Sequence, residues 1–513
     1  MQPPGLHTLQ PMNRIHHLFD QRAAQAPDHP FLLLQDGVIT LGALARMVDA
    51  LEDELRGDGV RAGDRVLVAA ENCPEHVALI LACSRVGAWA CGVNARMTTT
   101  EMAGFVRKAD ARVVYFTSAV SAAARDHAAL YNTLPSVLPG LVRSSVFHSA
   151  TVQEGPLGET VAAIIFTSGT TGQPKGVMLT HAGLLQFAQV SATSRQLTAA
   201  DRSYAYLPMT HIFGLGTVLM ASLYAGSGLV MRSQFDPQDV FEVLAHQGVT
   251  QLQGPPAMFT RLLAWLDSQG ITQPVAPDLR YVYTGAAPLD LSLKRAVESR
   301  FGQPLHHGYG LSEYAGALTL CTLGQWRDDT SAGYVVDGAQ LRIVNSQGQD
   351  LPRGETGEIW MRGLGLMPGY FRDPEITAQV MQPGGWYASG DLGRQSEDGA
   401  LQVVGRLKEM IIRSGFNVYP GEVEAVLLGF AGVKNAAVAG RTLADGNEEI
   451  MAFVEAQAGA TIDLTALHAH VHAQLAPYKR PSVIHQIPVM PMTLSGKILK
   501  RELIDQFTKA EHD

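Results

Sequence analysis

The hydrophobic and polar residues in the first third of the chain alternate between two patterns. One is the spacing of an amphipathic helix, and the other is the short continuous apolar run of a buried strand. The segments that follow these patterns are a helix face at Leu44, Val48, Leu51 and Leu55, strands over 65–70 and 113–116, and a helix over 75–86. Strands that alternate with helices predict a largely parallel sheet covered by helices on both faces.

Further along the chain the pattern changes more than once. Residues 134–159 are rich in Pro, Gly and Ser and predict a connection without regular structure. Strands and helices resume with a strand over 161–166, and short glycine-rich strands over 331–405 predict a small β-rich subdomain. Helices over 421–429 and 464–475 then belong to a compact terminal unit.

These elements predict an α/β fold in two domains. The first, at 1–407, is a large N-terminal domain of mostly parallel sheets flanked by helices, and it includes the small β-rich subdomain. The second, at 408–513, is a small mobile α+β C-terminal domain. A chain of 513 residues is too long for one compact core, which also favours a division into domains.

Composition narrows the class of protein. A content of 46% hydrophobic and 17% charged residues is ordinary for a globular enzyme, and the net charge of −9 argues against a nucleic-acid partner. Four cysteines without CxxC spacing argue against a disulfide framework and against a cysteine zinc site. No signal peptide is apparent, and the apolar run over 77–83 is too short for a bilayer. We expect a cytoplasmic protein without stable membrane insertion.

The first candidate site is a segment rich in glycine and hydroxyl groups, Thr167 to Gly176, which follows the strand over 161–166. Glycines allow a tight turn that brings backbone N–H groups to a polyphosphate, and the Lys175 ammonium adds a charged donor. The spacing is not that of a Walker A loop, because Lys175 follows Gly172 by three residues. Composition alone favours a flexible surface turn.

The whole segment closely resembles the phosphate loop of the adenylate-forming superfamily, which includes acyl-CoA synthetases, firefly luciferase and the adenylation domains of peptide synthetases. The resemblance, strongest to fatty-acid or aryl-acid CoA ligases, recurs in the expected order through almost the whole chain. It implies that the phosphates of ATP are held by Thr167, Ser168, Gly169, Thr170, Thr171 and Lys175.

Two further segments, 284–288 and 309–313, resemble the family's adenine and magnesium motifs. Taken alone, the second is better explained as a helix start capped by Ser312. The resemblance implies that Gly285, Ala286, Ala287 and Tyr309 line the adenine site. It also implies that Ser312, where the family usually has Thr, donates to the α-phosphate and that Glu313 binds Mg²⁺, which prefers oxygen ligands.

The segment Trp386-Tyr-Ala-Ser-Gly-Asp391 resembles the family's ribose-binding segment, and Gly405-Arg-Leu-Lys-Glu409 follows it. A carboxylate at Asp391 accepts hydrogen bonds from the ribose hydroxyls, and Arg406 would hold the ribose or a phosphate. Lys408 occupies the family's hinge position, about which the C-terminal domain rotates between two half-reactions. A surface aspartate followed by a basic turn is the alternative interpretation.

Two segments of the C-terminal unit resemble regions that contact coenzyme A. Gly415, within 413–422, would let the pantetheine arm pass close to the backbone. Lys479 and Arg480, within 478–481, would bind the phosphates of CoA, although a solvated basic turn explains them as well.

The segment Pro491-Met-Thr-Leu-Ser-Gly-Lys497 carries the family's catalytic lysine. An ammonium at Lys497 opposes the negative charge of the adenylation transition state, to which Glu313 and Thr167 also contribute by resemblance. The spacing also resembles a lysine acetylation pattern, and acetylation of Lys497 would remove its charge.

The acid itself is not readable from the sequence. His211, within 208–214, matches the aromatic gate of the thiol channel in relatives. By resemblance, the pocket is lined by His211, Phe213, Gln253, Gly254, Tyr283, Gly308 and Ala315. Arg280 could bind a second carboxylate but is more typical of a surface residue.

The sequence therefore predicts an ATP-, Mg²⁺- and CoA-dependent enzyme that converts a carboxylic acid into acyl-AMP and then into acyl-CoA. Its expected partners are these small molecules, and a homodimer is left open. The alternatives are an adenylating enzyme with another acyl acceptor, such as a carrier protein, and a catalytically silent nucleotide-binding homologue.

Overall fold

A computed structural model describes residues 13–168, 174–413, 416–443, 448–457, 459–492 and 498–510. Its helices are α1 His16–Gln25, α2 Leu41–Gly57, α3 Pro74–Val86, α4 Thr99–Ala109, α5 Ala122–Ala128, α6 Pro156–Thr160, α7 His181–Ser194, α8 Ala221–Ala225, α9 Pro237–His246, α10 Pro256–Ser268, α11 Leu291–Phe301, α12 Pro374–Val380, α13 Pro420–Leu428, α14 Leu464–Gln474 and α15 Lys500–Ala510. A π-helix covers Phe213–Met220, and single 3₁₀ turns cover Ser312–Tyr314, Leu407–Glu409 and Pro477–Lys479. Within the described ranges, no helix has both the length and the apolar composition needed to cross a membrane.

The strands of the described residues form five sheets, which contain nine, seven, five, three and two strands. They are β1 Pro30–Leu33, β2 Val38–Thr40, β3 Arg65–Ala70, β4 Trp89–Asn94, β5 Val113–Phe116, β6 Thr133–Pro135, β7 Val142–Ser144, β8 Val161–Ser168, β9 Pro174–Thr180, β10 Arg202–Ala205, β11 Gly228–Met231, β12 Gln251–Gly254, β13 Tyr281–Thr284, β14 Leu305–Leu311, β15 Gly316–Leu320, β16 Tyr334–Val335, β17 Ala339–Val344, β18 Gly357–Gly363, β19 Met381–Gln382, β20 Trp386–Gln395, β21 Leu401–Arg406, β22 Ile411–Arg413, β23 Phe416–Val418, β24 Val433–Thr442, β25 Glu448–Ala456 and β26 Val483–Ile487.

Two large sheets form the core of the N-terminal domain. Their strand orders are β16-β15-β14-β13-β12-β10-β11-β1-β2 and β6-β7-β5-β3-β4-β8-β9. The central strands of both sheets pair in parallel, and antiparallel partners close the edges. Every residue of β3 is buried, as expected for a parallel strand covered on both faces. The predicted α/β architecture is confirmed.

Local signals fix where the helices of this domain begin and end. In α4, the Thr98 hydroxyl accepts from the backbone N–H of Glu101, and the Glu101 carboxylate accepts from the backbone N–H of Thr98. Helix α3 ends at Val86 and is capped by Gly87, whose φ of 79° is in the left-handed region that favours glycine. Such caps satisfy the backbone groups that a helix leaves unpaired at its ends.

Smaller sheets follow along the chain. β17, β18, β20, β19 and β21 form the antiparallel sheet of the predicted β-rich subdomain. β24, β25 and β26 form the sheet of a small C-terminal domain, and its own apolar core includes Val423, Val438 and Leu467. The division into a large and a small domain is as expected, while the exact boundary at Lys408 stays a prediction.

The expectation of an irregular connection over 134–159 is wrong. β6 and β7 form a hairpin in this region, and β7 pairs antiparallel with β5, which extends the seven-stranded sheet. Helix α6 follows before β8. Strands of three residues are too short to display an alternation of apolar and polar positions, so their pairing with a distant strand is not visible in the sequence.

Candidate active site

The phosphate-loop segment begins in β8 and ends in β9, and these two strands pair antiparallel. Thr167 lies opposite Lys175, and Ser168 lies opposite Pro174. The hairpin therefore brings Thr167 and Lys175 together at the mouth of the loop. Three of the predicted phosphate ligands, Gly169, Thr170 and Thr171, lie outside the described residues.

Lys175 lies over the ring of Tyr370, with 4.9 Å between its Nζ and the ring centroid. The backbone of Tyr370 forms an antiparallel bridge to Val177 in β9, and the Phe371 N–H donates to the carbonyl of Gly176 at 2.7 Å. These backbone contacts hold Tyr370 beside the hairpin. No local pattern in the sequence predicts this contact, because Tyr370 is far from β9 along the chain.

Glu313 lies in the 3₁₀ turn that follows β14, and its side chain is partly exposed. Its Oε1 accepts a hydrogen bond of 2.9 Å from the Tyr370 hydroxyl, and the neighbouring Ser312 is buried. Ser312 does not cap this turn with its side chain, which removes the simple capping explanation for the motif.

The donor set around Glu313 fits Mg²⁺ that arrives with a nucleotide. Among the described residues, no group of three or more His, Cys, Asp or Glu could hold a metal ion alone. Mg²⁺ in nucleotide sites takes one or two carboxylates and completes its shell with phosphate oxygens and water. A single partly exposed carboxylate close to the phosphate hairpin meets that requirement.

The two predicted adenine segments lie at the carboxyl ends of adjacent parallel strands. Thr284 in β13 pairs with His307 in β14, so the segment after Thr284 runs beside Gly308 and Tyr309. Gly285 is buried, whereas Ala286 and Ala287 are exposed, and Ala286 has a left-handed φ of 67°. Crevices at the carboxyl ends of parallel strands are where open α/β sheets bind ligands.

Asp391 joins the predicted adenine and ribose residues. Its Oδ2 accepts from the Tyr309 hydroxyl at 2.8 Å, and its Oδ1 lies 3.1 Å from Arg406 Nε. Asp391 and Arg406 are register partners in β20 and β21, which explains their proximity. Burial raises the pKa of the Asp391 carboxyl, while the Arg406 charge and the Tyr309 hydrogen bond oppose that shift.

Lys408 is exposed in the 3₁₀ turn that follows β21. Desolvation lowers the pKa of its ammonium, and the positive charges of Arg406 and Lys175 add to the effect. The predicted hinge residue therefore lies in the electrostatic field of the phosphate and ribose residues. Its role as a hinge stays a prediction.

His211 precedes the π-helix Phe213–Met220, and its Nδ1 accepts from the Phe213 N–H at 3.2 Å. Solvent reaches the ring, but the surrounding protein lowers the pKa of the imidazole through desolvation, so the ring is neutral near pH 7. With Nδ1 accepting, the ring proton is assigned to Nε2. The gate role stays a prediction.

The predicted acid pocket contains an aromatic contact and a buried arginine. Phe213 meets Tyr283 edge-on, with 5.8 Å between the ring centroids. Arg195, which sequence analysis missed, is buried and donates to Gln253 Oε1 at 2.7 Å, and burial lowers its pKa to about 10. Arg280 instead forms a two-point ion pair with Asp201 at 2.7 and 2.8 Å, so the idea that it binds a second carboxylate is not favoured.

Two other predicted pocket residues, Gly308 and Gly254, lie in β14 and β12, the strands on either side of β13, which carries Tyr283. A side chain at Gly308 would overlap the Tyr283 hydroxyl, so only glycine fits at that position without a shift. Gly254 ends β12 beside the hydroxyl of Tyr206. Ala315 is buried directly after the turn that carries Glu313.

The predicted CoA residues of the C-terminal domain are engaged within that domain. Lys479 Nζ contacts Glu422 Oε2 at 2.5 Å, and Arg480 donates to the carbonyls of Leu475 and His472, both at 2.9 Å. A phosphate role for these cations stays a prediction. Gly415 and Lys497 lie outside the described residues.

Two families match this chain. The family described as AMP-binding enzyme matches residues 19–371, and the family described as AMP-binding enzyme C-terminal domain matches residues 422–497. A feruloyl-CoA synthase of Amycolatopsis sp is 32% identical over 494 residues, which cover 95% of this chain and 98% of the relative.

Solved structures agree with this assignment over nearly the whole length. ATP-bound MatB from Rhodopseudomonas palustris superposes with a TM-score of 0.84 and 28% identity, covering 97% of this chain and 99% of that structure. The amide bond synthetase McbA from Marinactinospora thermotolerans superposes with a TM-score of 0.83 and 28% identity, covering 96% of this chain and 100% of that structure.

Proposed function

This chain belongs to the AMP-binding enzyme family, and from that premise we propose that it is an AMP-forming acid–CoA ligase. In the proposed reaction a carboxylic acid and ATP give acyl-AMP and pyrophosphate, and CoA then gives acyl-CoA and AMP. The observation that carries the proposal is the convergence of Lys175, Glu313 and Asp391. Tyr370 contacts both Lys175 and Glu313, and Tyr309 donates to Asp391. Lys408 lies within electrostatic range of both Lys175 and Asp391, so these two groups lie near each other.

The first half-reaction requires in-line attack of a carboxylate oxygen on the α-phosphorus. We assign Thr167 and Lys175 to the phosphates, Asp391 and Arg406 to the ribose, and the segment after β13 to adenine. Mg²⁺ held at Glu313 would neutralise charge on the phosphate oxygens. Lys497 is assigned to the developing negative charge, and its loss is expected to slow adenylation by about 10²–10³-fold, as for one preorganised donor.

The second half-reaction requires the CoA thiol to reach the acyl carbonyl of the adenylate. We assign the gate to His211 and the rotation of the C-terminal domain to Lys408. A neutral His211 offers Nε2–H as a donor and carries no charge that would attract a carboxylate. No residue in the described ranges is assigned as a base for the thiol, since an acyl phosphate anhydride is already strongly activated.

The similarity to an amide bond synthetase favours a second candidate, in which an amine accepts the acyl group. Both candidates share the adenylate and differ only in the acceptor. The same experiment therefore distinguishes them.

The test is pyrophosphate release from ATP and Mg²⁺ across fatty, aromatic, short branched and dicarboxylic acids, each with no acceptor, with CoA or with a simple amine. The proposal expects AMP and acyl-CoA in equal amounts for one class of acid. The Lys497→Ala variant is the matched control and should release pyrophosphate about 10²–10³-fold more slowly. Amide formation without thioester would favour the second candidate, and pyrophosphate release that does not depend on any acid would contradict both.

A further inference from the structure

Three side chains from separate parts of the chain form a line of hydrogen bonds that ends on Glu313. The Tyr387 hydroxyl in β20 lies 3.2 Å from the Tyr370 hydroxyl, which lies 2.9 Å from Glu313 Oε1. Both tyrosines are 4% exposed, whereas Glu313 is partly exposed. The line therefore runs from the protein interior to the carboxylate assigned to the metal.

The direction of these hydrogen bonds follows from the chemistry of the groups. An ionised carboxylate only accepts, so Tyr370 must donate to Glu313. A phenol has one proton, and Tyr387 must therefore donate to the Tyr370 oxygen. Burial and the negative charge of Glu313 raise the pKa of both phenols, which keeps them protonated and able to donate.

Tyr370 is also held from the side of the phosphate hairpin. The Lys175 ammonium lies over its ring, and its backbone bridges to Val177. A ring fixed by the backbone, by a cation on its face and by a donor behind its hydroxyl has little freedom to turn away from Glu313. The contacts of Tyr370 thus link the phosphate lysine to the metal carboxylate.

We propose that Tyr370 is a positioning residue that fixes Oε1 of Glu313 and so orients the carboxylate for Mg²⁺ bound with ATP. This inference rests on the proposed function, in which Glu313 binds the metal. Groups that orient a metal ligand through a hydrogen bond typically change metal affinity by about 10–100-fold when they are removed. Tyr387 supports this arrangement through its hydrogen bond to the Tyr370 hydroxyl.

The competing explanation is that the two tyrosines only fill the core. Tyr370→Phe separates the explanations, because it keeps the ring, its packing and the Lys175 contact and removes only the hydroxyl. Tyr314→Phe is the matched control: Tyr314 is adjacent to Glu313 in sequence and equally buried, but its hydroxyl faces the carbonyl of Arg362 at 3.5 Å.

The experiment measures equilibrium ATP binding by calorimetry at increasing Mg²⁺ concentrations, without any acid, so that no turnover occurs. Tyr370→Phe is expected to raise the Mg²⁺ concentration for half-maximal ATP binding about tenfold and to leave Mg²⁺-free ATP binding within about twofold. Tyr387→Phe should give a smaller shift in the same direction, and Tyr314→Phe should give none.

A Glu313→Gln variant keeps failure of this inference distinct from failure of the proposed function. If Glu313→Gln shifts the Mg²⁺ dependence and Tyr370→Phe does not, the positioning role of Tyr370 is overturned while the metal role of Glu313 stands. If neither variant shifts it, the metal role of Glu313 is wrong and the inference fails with it. A loss of ATP binding in Tyr370→Phe that is equal with and without Mg²⁺ would indicate a purely structural role.

Discussion

At the scale of single residues, Asp391 combines a cost in stability with its proposed role in binding the ribose of ATP. Its carboxylate is 6% exposed, and burial raises its pKa above that of an aspartate in water. A raised pKa in the folded state means that the ionised form is less favourable in the fold than in the unfolded chain. The destabilisation is complete at pH values above the raised pKa, and it disappears as the pH falls below the pKa of the same group in the unfolded chain. Asp391 therefore lowers stability at neutral pH, as expected for a site kept for binding.

We predict that Asp391→Asn weakens the binding of ATP and does not lower the midpoint of thermal unfolding at pH 7. The amide retains an acceptor for Tyr309 but loses one charged acceptor for the ribose, so KM for ATP should rise about tenfold or more. The midpoint of the variant should equal or exceed that of the wild type at pH 7, and this difference should shrink towards pH 4. Steady-state kinetics and thermal unfolding between pH 4 and pH 8 measure both effects.

Asp398, which lies in the turn between β20 and β21, provides a control with the opposite expected effect on stability. Its hydrogen bonds to Arg327, Ser396 and Tyr334 hold its pKa well below the usual range. A group whose pKa is lowered on folding stabilises the fold at pH values above its pKa in the unfolded chain. Asp398→Asn should therefore lower the thermal midpoint at pH 7 without changing KM for ATP. An Asp391→Asn variant that is destabilised as much as Asp398→Asn would contradict the account.

The residues of the candidate site differ in how far the sequence predicts them. Asp391, Arg406 and Lys175 stand in local motifs, so their neighbourhood is visible in the sequence. Tyr370 contacts Glu313 from 57 residues away, and no spacing of residue types indicates such a contact. Arg195 was missed for the same reason, since its partner Gln253 belongs to a distant strand.

At the scale of elements, the sequence predicts correctly those helices and strands whose apolar residues follow a clear helical spacing or form a continuous apolar run. The strands over 65–70, 113–116 and 161–166 and the helix over 75–86 are present as β3, β5, β8 and α3. The π-helix Phe213–Met220 was not foreseen, because its apolar residues fit an ordinary helix or a buried strand equally well. π-helices are rare and occur often at functional sites, which agrees with its position after His211.

We predict that Gly214→Ala distorts the start of this π-helix. A Cβ at Gly214 would overlap the backbone carbonyl oxygens of Leu207 and Pro208, which cannot move without shifting the segment that carries His211. We expect a loss of about 1–3 kcal/mol in the free energy of unfolding, measured by denaturant titration.

Gly104→Ala is the matched control for this prediction. Gly104 lies within α4, and a Cβ there meets nothing within 4 Å, so alanine should stabilise by about 0.5–1 kcal/mol. If both variants change stability in the same direction, the crowding at Gly214 does not constrain the π-helix as argued.

At the scale of the whole molecule, the account requires the C-terminal domain to move relative to the N-terminal domain. The turn Leu407–Glu409 connects them, and Lys500 of α15 lies 3.2 Å from Glu409 and 2.7 Å from Glu424. The ion pairs attach the turn to the C-terminal domain. The hinge predicted at Lys408 lies in this turn and is tested by function.

We predict that Lys408→Pro separates the two half-reactions. Proline fixes φ near −65°, so a hinge that needs two backbone conformations loses one of them. Two rates are compared: the rate of acyl transfer to CoA from added acyl-AMP, and the rate of ATP–pyrophosphate exchange. In Lys408→Pro the ratio of the first to the second should change by about tenfold or more, whereas Lys408→Ala should leave this ratio nearly unchanged. Equal losses of both rates in Lys408→Pro would contradict a hinge at this residue.

The central claim is that a carboxylate oxygen of the acid attacks the α-phosphorus of ATP. The most direct measurement uses an accepted acid with ¹⁸O in both carboxyl oxygens and determines by mass spectrometry where the label goes during conversion to acyl-CoA. The account predicts one ¹⁸O in AMP, none in pyrophosphate and one in acyl-CoA. Thiolysis breaks the bond between the acyl carbon and the bridging oxygen, so the bridging ¹⁸O stays with AMP and the carbonyl ¹⁸O stays with acyl-CoA. Label in inorganic phosphate together with ADP, or AMP without label, would contradict an acyl-adenylate and with it the proposed function.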